Sequence, residues 1–167
     1  MIVIIEGADL VGKSTLAEAL RRRYGWPIVK IRWALVGDVH AETRGMATAT
    51  IKLLLALDPD VIFDRSYFSM WAYSEDPSFM PGLLAEFDHV SAQIDVALIV
   101  LTASEKELTR RYNAEPDEYF SLEIILRANA RFRTLPKLVP VSLPMLELDT
   151  SRLSIGEVVE AVESFIG

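Results

Sequence analysis

Short apolar runs alternate along the chain with longer stretches in which apolar residues recur every three or four positions. A continuous apolar run of about four to eight residues is typical of a strand buried on both faces, whereas the longer spacing is typical of an amphipathic helix. The pattern predicts five strands, at residues 2–5, 27–31, 61–63, 96–101 and 145–148.

The stretches between the strands predict helices, and capping residues mark where two of them begin. Ser104 with Glu107, and Ser154 with Glu157, fit the capping box, in which serine and glutamate side chains bond each other's backbone N–H groups. Residues 76–82 are predicted to be a loop, and three spaced prolines predict an extended connector at 136–144. The helices are predicted at 16–23, 38–57, 67–75, 83–93, 105–112, 118–134 and 155–165.

Strands that alternate with helices favour a parallel sheet that is covered by helices on both faces. We therefore expect one α/β domain at 1–167, built as three α/β/α layers around a five-stranded parallel sheet. Ligands in such folds bind beyond the carboxyl ends of the strands. The polar residues at those ends are therefore the first candidates for function.

Composition narrows the classes of partner and site. Lys plus Arg is 17 against 24 for Asp plus Glu, and the resulting net charge of −7 argues against a polynucleotide partner without ruling one out. The chain has no cysteine, which excludes disulfides, thiolate metal sites and a cysteine nucleophile. No apolar run approaches the ~20 residues of a membrane span, and a strand stands where a signal peptide would need a basic segment. We expect a cytoplasmic protein with no membrane partner, and the sequence leaves a homodimer open.

The stretch GADLVGKST, which follows the first strand, matches the phosphate-loop pattern G-x-x-x-x-G-K-[ST]. Gly7 and Gly12 would let successive backbone N–H groups face phosphates, and Lys13 would reach the outer phosphates. Ser14 would ligate Mg²⁺, and Thr15, beside it in the first helical turn, would contribute to nucleotide binding. The pattern predicts ATP and Mg²⁺ as cofactors in a P-loop NTPase fold. The alternative is a glycine-rich turn that binds nothing.

A second polar element, Asp64–Arg65, closes the third strand in VIFDRS. A carboxylate at this position can orient Mg²⁺ or its waters beside a phosphate loop. Alternatively, Asp64 caps the following helix. Arg65 could bind an acceptor phosphate with two parallel hydrogen bonds, or it could pair with Asp64 itself.

Two stretches resemble the thymidylate kinases. IIEGADLVGKSTLAEAL is similar to their loop EGxDGxGK[ST], and VIFDRSYFSMWAY to their segment D-R-[YF]-x-x-S-x-x-A-[YF]; LELDTSRLSIGEVVEAV looks like their last strand, adenine-side loop and terminal helix. The related deoxynucleoside kinases carry a segment close to FDRS. The matching positions are Glu6, Gly7, Asp9, Gly12, Lys13, Ser14, Asp64, Arg65, Ser69, Ala72 and Tyr73.

The resemblance implies roles for individual residues. Lys13 would bridge the donor phosphates, Asp9 would meet the acceptor sugar or its phosphate, and Arg65 would hold the acceptor α-phosphate. A lid at about 110–118 would bring Arg110 and Arg111 to the γ-phosphate; otherwise these arginines are solvated charge near a helix C-terminus. The adenine-side loop would contribute Thr150 and Arg152 to nucleotide binding.

Departures from the family leave the base identity open. Leu10 replaces the glycine that usually follows the loop aspartate, KIRWALVGD has no Glu-Pro pair, and KLLLALD lacks the arginine used near the thymine ring. Phe68, Trp71 and Trp33 could stack on a base, or they could fill the core.

The sequence thus predicts ATP-dependent phosphoryl transfer to a (deoxy)nucleoside monophosphate, with thymidylate or a related pyrimidine nucleotide as the first choice. The alternatives are a deoxynucleoside kinase, a kinase acting on a modified base in DNA, and a P-loop switch or ATPase module.

Overall fold

A computed structural model describes residues 1–30, 49, 56, 60–78, 80–92, 95–139 and 142–167. Within these ranges the chain forms a five-stranded parallel sheet in the order β2-β3-β1-β4-β5 with helices on both sides. This confirms the predicted three-layer α/β fold. The strands are β1 Ile2–Gly7, β2 Ile28–Lys30, β3 Val61–Asp64, β4 Val96–Thr102 and β5 Met145–Asp149.

The central strands are the ones whose sequences are most apolar. Every residue of β1, β3 and β4 is buried, whereas β2 and β5 lie at the sheet edges and contain only half-buried and exposed residues. Because parallel strands end at the same edge, the ends of β1, β2 and β3 lie together there. The register aligns Lys30 with Asp64, and Asp64 with Ile5.

Six helices are found in the described part of the chain, and the first packs against the sixth while the second packs against the fifth. None of them is long and apolar enough to cross a membrane. The predicted helix at 38–57 falls outside the described residues, apart from Ala49 and Ala56, which are both helical. The helices are α1 Lys13–Tyr24, α2 Tyr67–Tyr73, α3 Met80–Ser91, α4 Glu105–Ala114, α5 Leu122–Phe132 and α6 Ile155–Ile166.

Local chemistry moves two helix starts away from their predicted positions. Helix α3 begins at Met80 instead of 83, because Pro81 is tolerated in a first turn, where its missing N–H has no helical partner. Helix α5 begins at Leu122 instead of 118, because the Asp117 side chain accepts the N–H groups of Tyr119 and Phe120. That competing turn holds the segment out of the helix until Ser121 caps it.

Two further predictions need correction. The connector after α5 is not fully extended, since residues Leu135–Lys137 form a 3₁₀ turn. Only the Ser154–Glu157 capping box is complete. At α4, Ser104 Oγ accepts the Glu107 N–H, but the Ser104 N–H donates to Ser151 Oγ because the Glu107 carboxylate binds Arg110 and Arg111.

Candidate active site

The phosphate loop leaves β1 through a close contact with β4. Gly7 has φ +147°, and a Cβ atom there would lie 2.3 Å from the Leu101 carbonyl oxygen. Only glycine fits this backbone against its neighbour. Gly12 has φ +99° with open space around it, and it precedes α1 without a side-chain cap. The first N–H groups of α1 are thus free to bind an anion in the crevice, by which we mean the space beyond the carboxyl ends of β1 and β3.

Leu10 also adopts a left-handed backbone, with φ +68°. This is the position at which the sequence departs from the glycine of the thymidylate kinases. The loop therefore keeps a glycine-like conformation with a larger side chain, at a cost of about 1–2 kcal/mol. Arg65, at the end of β3, shows the same feature with φ +79°. Backbone strain of this kind concentrates at functional sites.

Lys13 folds back over the loop that precedes it. Its side chain is 5% exposed, its ammonium donates to the Ala8 carbonyl oxygen, and Nζ lies 3.8 Å from Asp9 Oδ1. Burial lowers the pKa of Lys13 to about 8. The loop thus holds a buried cation at the position where the outer phosphates of a nucleotide would bind.

Ser14 and Asp64 form the oxygen pair that the sequence assigned to magnesium. Ser14 Oγ donates to Asp64 Oδ2 at 2.8 Å, and Lys30 Nζ lies 3.4 Å and 3.5 Å from these same two oxygens. Both are hard oxygen donors, which suits Mg²⁺, and Mg²⁺ commonly takes one or two protein ligands with the rest from phosphates and water. No group of three or more acidic or histidine residues that could hold a metal is found among the described residues. The pair therefore fits a magnesium ion shared with nucleotide phosphates.

The alternative roles of Asp64 and Arg65 do not match the geometry. Helix α2 is capped by Ser66, whose side chain accepts the Phe68 N–H, and not by Asp64. Arg65 pairs with Asp9 across the crevice instead of with its neighbour Asp64.

Asp9, Arg65 and Tyr73 form one bonded cluster beside Lys13. Arg65 binds Asp9 Oδ1, while the Tyr73 hydroxyl donates to Asp9 Oδ2 at 2.7 Å and accepts the Asp9 N–H at 2.7 Å. The guanidinium lies 5.5 Å from the centre of the Tyr73 ring. Burial and the Asp9 carboxylate raise the pKa of Tyr73, which stays protonated. Tyr73 matches the thymidylate kinase segment in VIFDRSYFSMWAY, but no role for it was predicted.

Glu6 anchors the turn that carries Arg65, and sequence reasoning missed this function. The carboxylate is fully buried, and it accepts the N–H and hydroxyl groups of Ser66 and Ser69 at 2.6–3.2 Å. Burial raises the pKa of Glu6. A glutamate that closes an apolar strand was the available signal, together with serines three residues apart at the start of α2.

The aromatic candidates divide between the core and the undescribed residues. Phe68 is fully buried and meets Phe87 edge-on at a ring distance of 5.4 Å, and Trp71 is 5% exposed. Core packing, and not base stacking, therefore describes Phe68 and Trp71 in this structure. Trp33 lies outside the described residues.

A cavity of about 280 Å³ opens on the other side of the phosphate loop. Gly12 and Thr15 line it from the loop and α1, and Thr150 lines it from the β5–α6 loop. Arg111 closes the wall, donating to the Leu10 carbonyl at 2.7 Å and the Thr150 carbonyl at 2.9 Å. Leu153, Ile155 and Val158 provide apolar surface. The predicted nucleotide-binding residues Thr15 and Thr150 thus meet in one place.

The remaining basic candidates take different positions. Arg111 is anchored between the loop and the cavity, whereas Arg110 is largely exposed and binds the Glu107 carboxylate. These hydrogen bonds from Arg110 and Arg111 lower the pKa of Glu107 to about 2. Arg152 is exposed, and it is not among the described residues that line the cavity.

Neither a protein-family model nor a curated protein sequence matches the chain. Solved structures do match it over nearly the whole length. The YorR protein of Bacillus subtilis, solved in complex with phosphorylated GDP, has a TM-score of 0.75 at 19% identity and covers 99% of this chain and 95% of its own. Deoxyadenosine kinase of M. mycoides, solved with dCMP and dCDP, has a TM-score of 0.67 at 18% identity, covering 98% and 97%.

Thymidylate kinase of Candida albicans aligns with a TM-score of 0.64 at 15% identity, covering 99% of this chain and 90% of its own. At such identities these likenesses establish only that the chain shares the fold of these solved proteins. The resemblance first seen in two motifs therefore extends to the whole architecture.

Proposed function

We propose that this protein transfers the γ-phosphoryl group of ATP to a (deoxy)nucleoside monophosphate, with thymidylate or a related pyrimidine nucleotide as the preferred acceptor. The observation that carries the proposal is the position of Arg65. Its guanidinium lies at the end of β3, beside Asp9 and next to the strand end that holds Asp64. Arg65 is thus a second cation beside the phosphate loop, which supports a binding site for an acceptor phosphate next to the donor.

The state of the carboxylates supports a phosphate-bearing acceptor over a nucleoside. A nucleoside hydroxyl needs a base to remove its proton, whereas a monophosphate already carries a nucleophilic oxygen. Within the described ranges, Glu6, Asp9 and Asp64 are the carboxylates that surround Lys13, and each already accepts hydrogen bonds from neighbouring side chains. These carboxylates are thus engaged by hydrogen bonds, which favours an acceptor that needs no base.

On this proposal the nucleotide phosphates bind the loop and the adenine side occupies the cavity beside Thr15 and Thr150. Ser14 and Asp64 would hold Mg²⁺, which neutralises charge on the phosphates when bound.

Lys13 would exchange its contact with the Ala8 carbonyl for the outer phosphates. A buried ammonium stabilises the phosphate charge more strongly than an ammonium in water. Arg110 is the exposed arginine of the proposed lid, and closure would break its pair with Glu107.

A coupled assay of ADP release tests the proposal directly. The acceptors are deoxynucleoside monophosphates, the corresponding nucleosides and DNA, each compared with ATP alone. We expect turnover with a pyrimidine monophosphate and none with Lys13→Ala, whose fold is checked by circular dichroism. Turnover with thymidine and none with thymidylate would establish a nucleoside kinase instead. Activity on DNA alone, or ADP release without an acceptor, would point to the remaining alternatives.

Arg65→Lys separates an acceptor-binding arginine from one that acts on the transferred group. Lysine keeps the charge but loses the two parallel hydrogen bonds, so the KM for the monophosphate should rise about tenfold, the equivalent of ~1.4 kcal/mol. The KM for ATP should stay nearly constant. Arg133→Lys, which alters an exposed pair with Asp149, is the matched control. A lower kcat with an unchanged acceptor KM would assign Arg65 to the transferred phosphoryl group.

A further inference from the structure

The magnesium ligands already have a cationic neighbour, Lys30. Lys30 is the last residue of β2, and its ammonium lies 3.4 Å from Ser14 Oγ and 3.5 Å from Asp64 Oδ2. No motif or family resemblance assigned it a role. Its ammonium contacts the same two oxygens that would bind Mg²⁺.

Strand pairing, and not chance surface contact, brings Lys30 to these oxygens. Parallel pairing of β2 with β3 sets Lys30 directly beside Asp64, with Asp64 in turn beside Ile5 of β1. In-register residues of neighbouring strands point to the same face of a sheet. The Lys30 side chain is 51% exposed, whereas Asp64 is 6% exposed, so the lysine reaches in from solvent over a buried carboxylate.

The charges around the crevice show why this ammonium matters. Lys13 and Arg65 are the other cations there, and Asp9, Asp64 and Glu6 are the carboxylates. Lys13 and Arg65 both contact Asp9. Among the described residues, Lys30 is the cation that pairs with Asp64, at 3.5 Å. A divalent ion at the oxygen pair would come within a few ångströms of the Lys30 ammonium, where like charges repel.

We propose that Lys30 competes with Mg²⁺ for the Ser14–Asp64 oxygen pair and thereby sets the magnesium requirement of nucleotide binding. In the metal-free protein the ammonium neutralises Asp64. Magnesium binding displaces it, so part of the metal's binding free energy is used to move the lysine away. Lys30 is therefore a positioning residue that acts through the metal site. The inference rests on the proposed function only in taking Ser14 and Asp64 as the magnesium ligands.

The test measures metal coupling without turnover. Binding of N-methylanthraniloyl-ADP is followed by fluorescence in EDTA and in saturating Mg²⁺. The Kd in EDTA divided by the Kd in Mg²⁺ measures how strongly the metal promotes nucleotide binding. Lys30→Met removes the competitor, so the ratio should rise about two- to fivefold, since a charge pair with an exposed partner has an effect of this order. Lys137→Met, an exposed lysine of the 3₁₀ turn, should leave the ratio unchanged.

An unchanged or smaller ratio for Lys30→Met would overturn the proposal, and Lys30→Gln gives the same test if the methionine variant folds poorly. Ser14→Ala distinguishes this failure from failure of the metal site. Removing the hydroxyl should bring the ratio close to one. If Ser14→Ala leaves the ratio at the wild-type value, the magnesium site is misassigned and the proposed function loses that support. If only Lys30→Met has no effect, the competition alone is refuted.

Discussion

Replacement of Glu6 tests whether one buried carboxylate holds the crevice together. The Glu6 Oε1 atom accepts the N–H groups of Ser66 and Ser69 and the Ser66 hydroxyl, and Oε2 accepts the Ser69 hydroxyl. Glu6→Ala would remove the acceptor of four buried donors at once. The turn that these bonds fix contains Arg65, so both stability and acceptor binding depend on it.

The expected loss follows from those four donors. The two hydroxyl groups can rotate toward other acceptors, and the Ser69 N–H also donates to the Ser66 carbonyl at 3.1 Å, but the Ser66 N–H would lose its acceptor. A buried donor without a partner costs about 1–3 kcal/mol, so Glu6→Ala should lower the free energy of unfolding by at least about 1–3 kcal/mol. Glu6→Gln keeps an oxygen at the Oε1 position, which serves three of the donors, and the Ser69 hydroxyl can turn to accept from the new amide. The glutamine variant should therefore lose much less.

The pH dependence has a definite sign. The folded-state pKa of Glu6 is raised, so between its ordinary value of 4.5 and the folded value the folded protein binds more protons than the unfolded chain. Stability from this group therefore falls as pH rises through that window and is constant above it. Glu6→Gln has no such titration. Relative to wild type, the variant should be least stable near pH 4.5 and should improve as pH rises.

Urea unfolding followed by tryptophan fluorescence, repeated from pH 4.5 to 8, measures these quantities. The reasoning about the network fails if Glu6→Ala is within about 1 kcal/mol of wild type, or if Glu6→Gln is as unstable as Glu6→Ala. A wild-type advantage over Glu6→Gln that grows with pH would show that the carboxylate is favoured in its ionised form, against the expected direction. The KM for the acceptor, measured on the folded variants, shows whether Arg65 is displaced.

Two other changes test the loop and the core by unfolding measurements. Gly7→Ala should destabilise the protein far more than Gly12→Ala, because the new Cβ at position 7 would lie 2.3 Å from the Leu101 carbonyl oxygen. Gly12 faces open space, so Gly12→Ala should cost only the ~1–2 kcal/mol of a left-handed backbone. Equal losses of stability would contradict the predicted clash. Asn129 is buried and forms hydrogen bonds with both the N–H and the carbonyl of Ala103. Asn129→Asp should lower the free energy of unfolding by about 2–4 kcal/mol at pH 7. That loss should shrink at pH 4, where a protonated carboxyl can again donate to the carbonyl, and a loss independent of pH would argue against this hydrogen bond.

Features that depend on neighbouring residues could be predicted from the sequence. The apolar runs located the strands, the phosphate-loop glycines match the positive φ values at Gly7 and Gly12, and the capping box at Ser154 is complete. Each of these rests on backbone sterics or on hydrogen bonds that span a few positions, so a local pattern is enough to specify it. The misplaced starts of α3 and α5 also have local causes, because Pro81 is tolerated in the first turn of α3 and the Asp117 turn delays the start of α5.

Which charged residues pair with each other depends on the packing of distant parts of the chain. Arg65 binds Asp9 instead of the adjacent Asp64, because its left-handed backbone turns the chain after β3 toward the phosphate loop. Lys30 reaches Asp64 because β2 lies next to β3, and Arg111 joins the phosphate loop to Thr150 across the end of the sheet. Five apolar strands satisfy the same sequence pattern in many spatial orders. The order β2-β3-β1-β4-β5 is set by the packing of the whole chain, and that order selects the partners of the site residues.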